Sequence, residues 1–100
     1  MALTLSRAAG ESIVLADRLQ ITVDEIDGHQ VSVLLGDLDG APQARHTFTG
    51  PDAELRLGDH VRIHGRVDAA RPWQARLSIS APPTVRVMRR ELMPAAAAHA

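Results

Sequence analysis

Apolar and polar residues alternate in nearly every segment of this chain, and turn-forming residues interrupt the alternation at short intervals. The clearest examples are Leu19–Val23, Val31–Leu35 and Ala75–Ile79, in which every second residue is apolar. Side chains that repeat with a period of two lie on one face of a β-strand. The pattern therefore predicts an all-β protein made of small antiparallel strands.

Turn-forming residues set the expected limits of these strands. Alternating runs are predicted at 3–7, 12–15, 18–26, 31–35 and 45–49, with further alternation through 55–67, at 75–79 and at 85–87. The pair Asp27-Gly28 is typical of a type I′ hairpin turn. A short helical turn is expected at Arg89–Met93, because Pro94 interrupts its extension. Residues 94–100 are expected to form a flexible tail, since this segment is too short to hold a helix by itself.

The core must be built almost without aromatic side chains. Hydrophobic residues make up 45% of the 100 residues, but the aromatic ones are only Phe48 and Trp73. We expect one small domain at residues 1–93 with a core of Val, Ile and Leu, and with Trp73 covering that core beside Pro72. The alternative for Trp73 is a platform on which a nucleic-acid base stacks.

The absence of cysteine excludes disulfide bonds, thiolate nucleophiles and cysteine-bound zinc. No apolar stretch of the sequence approaches the ~20 residues that a transmembrane helix requires. We therefore expect a soluble, unprocessed cytoplasmic protein that has no membrane partner and no cofactor.

The net charge of −1 conceals opposite charges in the two halves. Residues 1–50 contain three arginines and seven acidic residues, whereas residues 51–100 contain eight arginines and five acidic residues. None of the eleven basic residues is lysine. Arginine pairs bidentately with phosphate and stacks on bases, so this composition is compatible with RNA recognition. A composition bias of the genome is the simpler explanation for the missing lysines.

The two halves also repeat a weak pattern. The matched residues are Leu15 with Leu57, Asp17 with Asp59, Ile21 with Ile63, Gln30 with Gln74, Val33 with Leu77, and Ala41-Pro42 with Ala81-Pro82. Two degenerate copies, at residues 3–48 and 45–93, would explain these matches. Chance alternation among β segments is the alternative.

Both ends of the chain carry motifs of a known family. These are Leu3–Ile13 with its Arg-x-x-Gly-Glu turn at Arg7–Glu11, the hairpin Asp27–Val31, and the closing segments Gln74–Ile79 and Ala81–Leu92. Together they resemble the carbon storage regulator family, CsrA and its relatives, which are small bacterial post-transcriptional regulators. The resemblance covers about residues 3–35 and 73–93.

This resemblance implies interlocked five-stranded subunits that bind GGA-containing mRNA leaders or small RNAs. Such a protein represses translation by covering the ribosome-binding site, without catalysis and without binding DNA. The RNA would lie where the first strand meets the last strand of the other subunit. Carried over by position, the RNA-binding residues are Leu5, Ser6, Arg7, Val87, Met88, Arg89 and Arg90. Two positions depart from the family, because Ala8 replaces a basic residue and Arg90 replaces a commonly acidic one.

The repeat bears on the assembly that the resemblance implies. One hypothesis is a single-chain pseudo-dimer, in which Arg7 and Arg89 come together from opposite ends of the chain. Its second site would be inactive, because Thr49 takes the place of Arg89 and residues 50–52 replace the Arg-x-x-Gly-Glu turn. The alternative is an ordinary homodimer in which residues 37–72 are an insertion.

Two other classes of function are compatible with the sequence. One is a protein-binding adaptor that resembles the same family and has lost RNA affinity, which Ala8 and the low net charge favour. The other is a small-ligand-binding domain that resembles PilZ or OB modules, because Arg86 and Arg90 have the spacing of the PilZ arginine motif.

Metal binding and catalysis are not expected. On a strand, His60 and His64 would be separated by about 13 Å, which is too far for a shared metal ion. Asp17 and Asp59 are expected to be tight-turn residues rather than paired catalytic carboxylates. The candidate nucleophiles, Ser6, Ser12 and Ser32, have no accompanying base in the sequence pattern.

Overall fold

The structure, a computed structural model, describes residues 2–50 and 53–92. Apart from one 3-10 turn, its regular elements within these residues are all β-strands, which confirms the all-β prediction. The strands are β1 Ala2–Ala8, β2 Ser12–Leu15, β3 Leu19–Asp27, β4 Gln30–Asp37, β5 Pro42–Phe48, β6 Glu54–Leu57, β7 Val61–Val67, β8 Gln74–Ser80 and β9 Val87–Arg89. The 3-10 turn at Arg90–Leu92 confirms a helical turn after the last strand. The predicted tail at 94–100 lies outside the described residues.

The strands form two antiparallel sheets that exchange the ends of the chain. Sheet A has the order β1-β8-β7-β6, and sheet B has the order β5-β4-β3-β2-β9. The chain therefore begins in sheet A, builds most of sheet B, returns to sheet A for β6–β8 and ends in sheet B. Among the described strands the two sheets remain separate and do not close into a barrel.

The two sheets contain the same three-stranded meander, formed by β2–β4 in sheet B and by β6–β8 in sheet A. The first hairpins have equal loops, because Leu15 pairs with Leu19 and Leu57 pairs with Val61. In sheet B, β5 adds to β4 and β9 adds to β2. In sheet A, β1 adds to β8, whereas no described strand adds to β6. Each sheet thus contains one meander of the same strand order. The choice between a single-chain pseudo-dimer and a homodimer stays a prediction.

The inner faces of both sheets share a single aliphatic core, as the alternation predicts. Its buried members are Ile13, Leu15, Ile21, Val23, Val31, Val33, Leu35, Phe48, Ile63, Ala75, Leu77, Ile79 and Ala81. Each meander covers the inner face of the other, so the apolar residues of both are removed from water together. Neither sheet has a second layer of its own.

Phe48 is the one aromatic side chain in this core, and it depends on a glycine across the interface. Phe48 is 1% exposed, and a Cβ built on Gly65 would lie 2.6 Å from its Cδ2 atom. A real Cβ cannot approach a ring carbon so closely. The glycine on β7 therefore creates the space that the ring of sheet B fills.

The tight turns differ in type from the sequence prediction. At Gly28-His29, φ is +57° at Gly28 and is not positive at His29, a pattern of type II′ rather than the expected type I′. Type I′ dihedral signs occur instead at Ala16 and Asp17, with φ of 54° and 57°. There the Arg18 amide donates to the Leu15 carbonyl at 3.1 Å. Asp17 and Asp59 both lie in turns, as predicted.

Replacing Gly65 by alanine tests the contact between the two sheets. We expect Gly65→Ala to lower the free energy of unfolding by about 1–3 kcal/mol, because the added methyl group overpacks the space beside Phe48. Urea unfolding followed by circular dichroism measures this change. The control is Gly50→Ala, whose added Cβ meets no atom within 4 Å, and which should change stability by less than about 0.5 kcal/mol. Equal stability of the two variants would contradict the proposed packing.

Candidate nucleic-acid interface

The sequence-predicted site residues occupy both ends of the chain, but in different sheets. Leu5, Ser6 and Arg7 lie on β1 in sheet A, whereas Val87, Met88 and Arg89 lie on β9 in sheet B. Arg90 begins the 3-10 turn. The strands that carry Arg7 and Arg89 are therefore not neighbours in one sheet. What joins the two ends is an ion pair between Arg7 and Glu91.

Arg7 is an internal residue, with only 5% of its surface exposed. Its Nη1 and Nη2 atoms donate to Glu91 Oε1 at 2.7 Å and Oε2 at 2.9 Å. Nη1 also faces the Ser12 carbonyl oxygen at 3.4 Å, and Glu11 lies 3.7 Å from Nη2. The hydrogen bonds from Arg7 lower the pKa of Glu91 to about 2, and Glu91 in turn raises the pKa of Arg7. The Arg7 guanidinium is therefore already occupied by its hydrogen bonds to Glu91 in the 3-10 turn.

The remaining predicted residues differ in how accessible they are. Arg90 makes a bidentate contact with Asp39, in which Nε donates to Oδ1 at 3.1 Å and Nη2 donates to Oδ2 at 2.8 Å, and this contact raises the pKa of Arg90. Arg89 is exposed, and no carboxylate among the described residues lies within ion-pair distance of it. The half-buried members of the predicted set are Leu5, Val87 and Met88, and Ser6 is exposed. Of the three predicted arginines, the structure thus leaves only Arg89 open to a ligand.

A larger set of arginines lies on the outer face of sheet A. The polar side chains that alternate away from the core on this sheet are Thr4, Ser6, Glu54, Arg56, Arg62, His64, Arg66, Gln74, Arg76, Ser78 and Ser80. We call this surface the basic face. It carries four arginines and one carboxylate, and the inward residues between them are apolar apart from Arg7.

Cross-strand pairing brings these arginines together in rows. Arg62 stands opposite Arg56 on β6, and Arg66 stands opposite Arg76 on β8. The carboxylate of Glu54 accepts a hydrogen bond from Arg56 Nε at 2.8 Å, which lowers the pKa of Glu54. No other carboxylate in residues 2–50 or 53–92 lies within ion-pair distance of this face. Most of its positive charge is therefore available to an external anion.

Sheet B has the opposite charge. Its strands carry the acidic residues Asp24, Glu25, Asp27 and Asp37 against the arginines Arg45 and Arg89. Arg45 is itself paired with two of these acids, at 2.7 and 3.3 Å. The charge difference between the two halves of the sequence thus becomes a difference between two surfaces of the fold. The period-two spacing of the arginines was visible in the sequence, but only the strand register shows that they share one face.

The loop Asp68–Trp73 lies at one end of the basic face, between β7 and β8. Trp73 is 62% exposed and is absent from the core, so the prediction that it covers the core is wrong. Trp73 lies within a tight turn, in which the Gln74 amide donates to the Arg71 carbonyl. Asp68 Oδ1 accepts hydrogen bonds from the Ala70 and Arg71 amides at 2.9 and 3.3 Å. The loop therefore exposes an aromatic ring at the end of sheet A where β7 and β8 are connected.

Other kinds of site find little support in the geometry. Across the described part of the chain, no three His, Cys, Asp or Glu residues are placed to hold a metal ion. His64 instead lies 3.3 Å from Glu54. Arg86 and Arg90, which match the PilZ spacing, have separate acidic neighbours in Asp17 and Asp39.

The serines that were weighed as nucleophiles contact other hydroxyl groups or lie on the basic face. Ser12 contacts the hydroxyl of Thr22 at 2.7 Å, and Ser32 contacts that of Thr47 at 3.0 Å. Ser6 stands opposite Arg76.

No helix in the described ranges is long and apolar enough to cross a membrane.

Comparisons with protein-family models, with curated proteins and with solved structures find no match for this chain. The resemblance to the carbon storage regulator family therefore rests on the motifs quoted above.

The contact between Arg7 and Glu91 predicts a specific dependence of stability on pH. The folded state lowers the pKa of Glu91 from 4.5 to about 2, so the ionised carboxylate stabilises the fold above pH 4.5. This contribution decreases as the pH falls from 4.5 towards 2. We expect Glu91→Gln to melt at a lower temperature than the parent at neutral pH, with the difference shrinking through this acidic range.

Thermal melts at several pH values, followed by circular dichroism, measure this effect. The control is Asp59→Asn, because Asp59 is an exposed turn residue without an ion pair among the described residues. The difference in melting temperature between Asp59→Asn and the parent should change little over the same pH range. If the difference in melting temperature between Glu91→Gln and the parent does not vary with pH, the role given to this ion pair is refuted.

Proposed function

We propose that this protein binds single-stranded RNA on the basic face and represses translation by covering an mRNA leader. The observation that carries the proposal is the set of four outward arginines, Arg56, Arg62, Arg66 and Arg76, which share one sheet face with a single carboxylate. Such a surface attracts a phosphate backbone, and binding releases counterions from the nucleic acid. No catalytic group is needed for this function.

The dimensions of the basic face suit a short stretch of single-stranded nucleic acid. Arg62 and Arg66 are four residues apart on β7, which corresponds to about 13 Å along the strand. Arg56 and Arg76 lie on the strands to either side, so the face is about 10 Å wide between them. Several nucleotides can contact such an area at the same time.

Trp73 and the arginines also supply groups that interact with unpaired bases. An exposed indole ring can stack on a base, and a guanidinium plane can do the same. Neither interaction is available to bases that are stacked inside a duplex. These features favour a single-stranded ligand over a double helix.

The choice of RNA, and of translation as the regulated step, rests on the resemblance to the carbon storage regulator family. It supplies GGA-containing leaders as the first ligands to test and the cytoplasm as the place of action. The interface proposed here nevertheless differs from the one that the resemblance implies. Arg7 and Arg90 are bound to carboxylates, whereas Ser6 lies opposite Arg76 on the basic face.

A titration with a labelled GGA-containing oligoribonucleotide tests this proposal. We expect the double variant Arg62→Ala/Arg66→Ala to bind more weakly and to reduce the slope of log K against log salt by about 1.4, because each lost phosphate contact removes ~0.7. Fluorescence anisotropy at several salt concentrations measures both quantities. The matched control is Arg45→Ala, since Arg45 lies on sheet B and is already paired with acids.

Arg89→Ala separates the basic face from the interface at the chain ends. If this variant abolishes binding while Arg62→Ala/Arg66→Ala binds normally, the RNA lies at the terminal strands instead. Absence of binding by the parent protein at low salt would exclude RNA as the ligand. A single-stranded DNA of the same sequence, bound equally well, would contradict the choice of RNA.

A further inference from the structure

The two like-charged pairs on the basic face are not equivalent. Arg56 and Arg62 stand opposite each other, and the Glu54 carboxylate beside them neutralises part of their charge. Arg66 and Arg76 also stand opposite each other, but no carboxylate in the described ranges lies within ion-pair distance of either. The chain thus supplies a counter-charge to one pair and leaves the other without one.

Directly opposite residues on antiparallel strands have Cβ atoms about 5 Å apart, and like charges in that arrangement destabilise a sheet. The uncompensated pair also holds an unused donor. Arg76 Nε is buried and has no hydrogen-bond partner among the described residues. A buried N–H group without a partner carries an energetic cost that an acceptor would remove.

These two arginines border a depression with space for a small ligand. Its volume is about 270 Å³, and its lining is formed by Arg66, Val67, Asp68, Ala69, Ala70 and Arg76. The Asp68 carboxylate is occupied on one oxygen by the Ala70 and Arg71 amides, which holds it as part of the loop. The site therefore combines two guanidinium groups with a loop that borders them.

We propose that Arg66 and Arg76 together bind one phosphate group in this depression. A phosphate offers several oxygens to the paired guanidinium groups and neutralises the repulsion between them. The site deepens the function proposed above, because the 5′-terminal phosphate of a bound RNA is a natural occupant. Free inorganic phosphate has the same chemistry and is the second source.

The first experiment uses inorganic phosphate alone. Phosphate should raise the melting temperature of the parent protein relative to chloride at the same ionic strength, since a ligand that binds only the folded state stabilises it. Arg66→Gln and Arg76→Gln should each need at least a tenfold higher phosphate concentration for the same increase in melting temperature. The matched control is Arg45→Gln, which removes an arginine that lies on sheet B and is already paired with acids, and which should leave the effect unchanged.

In chloride, Arg66→Gln and Arg76→Gln should melt at a higher temperature than the parent, since the like-charged pair is removed. The phosphate effect can be measured whatever the stability of a variant, because each variant is compared with and without phosphate. A phosphate effect that is absent in the parent, or that is equal in Arg76→Gln and Arg45→Gln, would overturn the proposed site.

The second experiment identifies the source of the phosphate with two otherwise identical oligoribonucleotides, one 5′-phosphorylated and one ending in a 5′-hydroxyl. Tighter binding of the phosphorylated form by the parent, and equal binding of both forms by Arg76→Gln, supports the terminal phosphate. Equal binding by the parent, together with a retained effect of inorganic phosphate, supports the site and assigns it to the free anion. If neither oligonucleotide binds while inorganic phosphate does, RNA binding fails and the phosphate site survives.

Discussion

The exchange of chain ends between the two sheets is the constraint on which the rest of this structure depends. Each meander exposes an apolar inner face that only the other meander covers, and each sheet includes a strand from the far end of the chain. The contact between the buried Arg7 and the exposed Glu91 joins those ends, linking β1 of sheet A to the turn after β9 of sheet B. Because a buried guanidinium is costly without a partner, this contact also determines where the last turn lies.

Once the inner faces are joined, the outer faces are free to differ in charge. A strand places every second side chain outward, so the arginines of the second half of the sequence appear on sheet A and most strand acids appear on sheet B. The core does not require this separation, because the charged outward residues of both sheets are not members of it. The charge of each face is therefore a feature of the surface that can serve binding without changing the fold.

The sequence predicted the strands well and the environments of individual side chains poorly. Alternation identified β2 at its observed limits and most other strands to within a few residues, but it ran through 55–67 without separating β6 from β7. It could not predict the burial of Arg7, whose partner Glu91 is 84 residues away. Nor could it show that Trp73 is exposed on a loop, because the scarcity of large side chains suggested that Trp73 would cover the core. The basic face required the register of β6, β7 and β8, which no local pattern supplies.

The availability of a carboxylate decides what each arginine of this protein can do. Arg7 and Arg90 each have a bidentate acidic partner, so their charge is used within the fold. Arg56 is paired with Glu54, whose carboxylate partly neutralises the positive charge of Arg56 and Arg62. Arg66 and Arg76 face each other with no such partner among the described residues, and one buried N–H group remains unused. A sheet that only needed polar outward residues could place serine or threonine at either position, as it does at Thr4 and Ser78. The uncompensated arginines are therefore best explained by an anion that binds from outside.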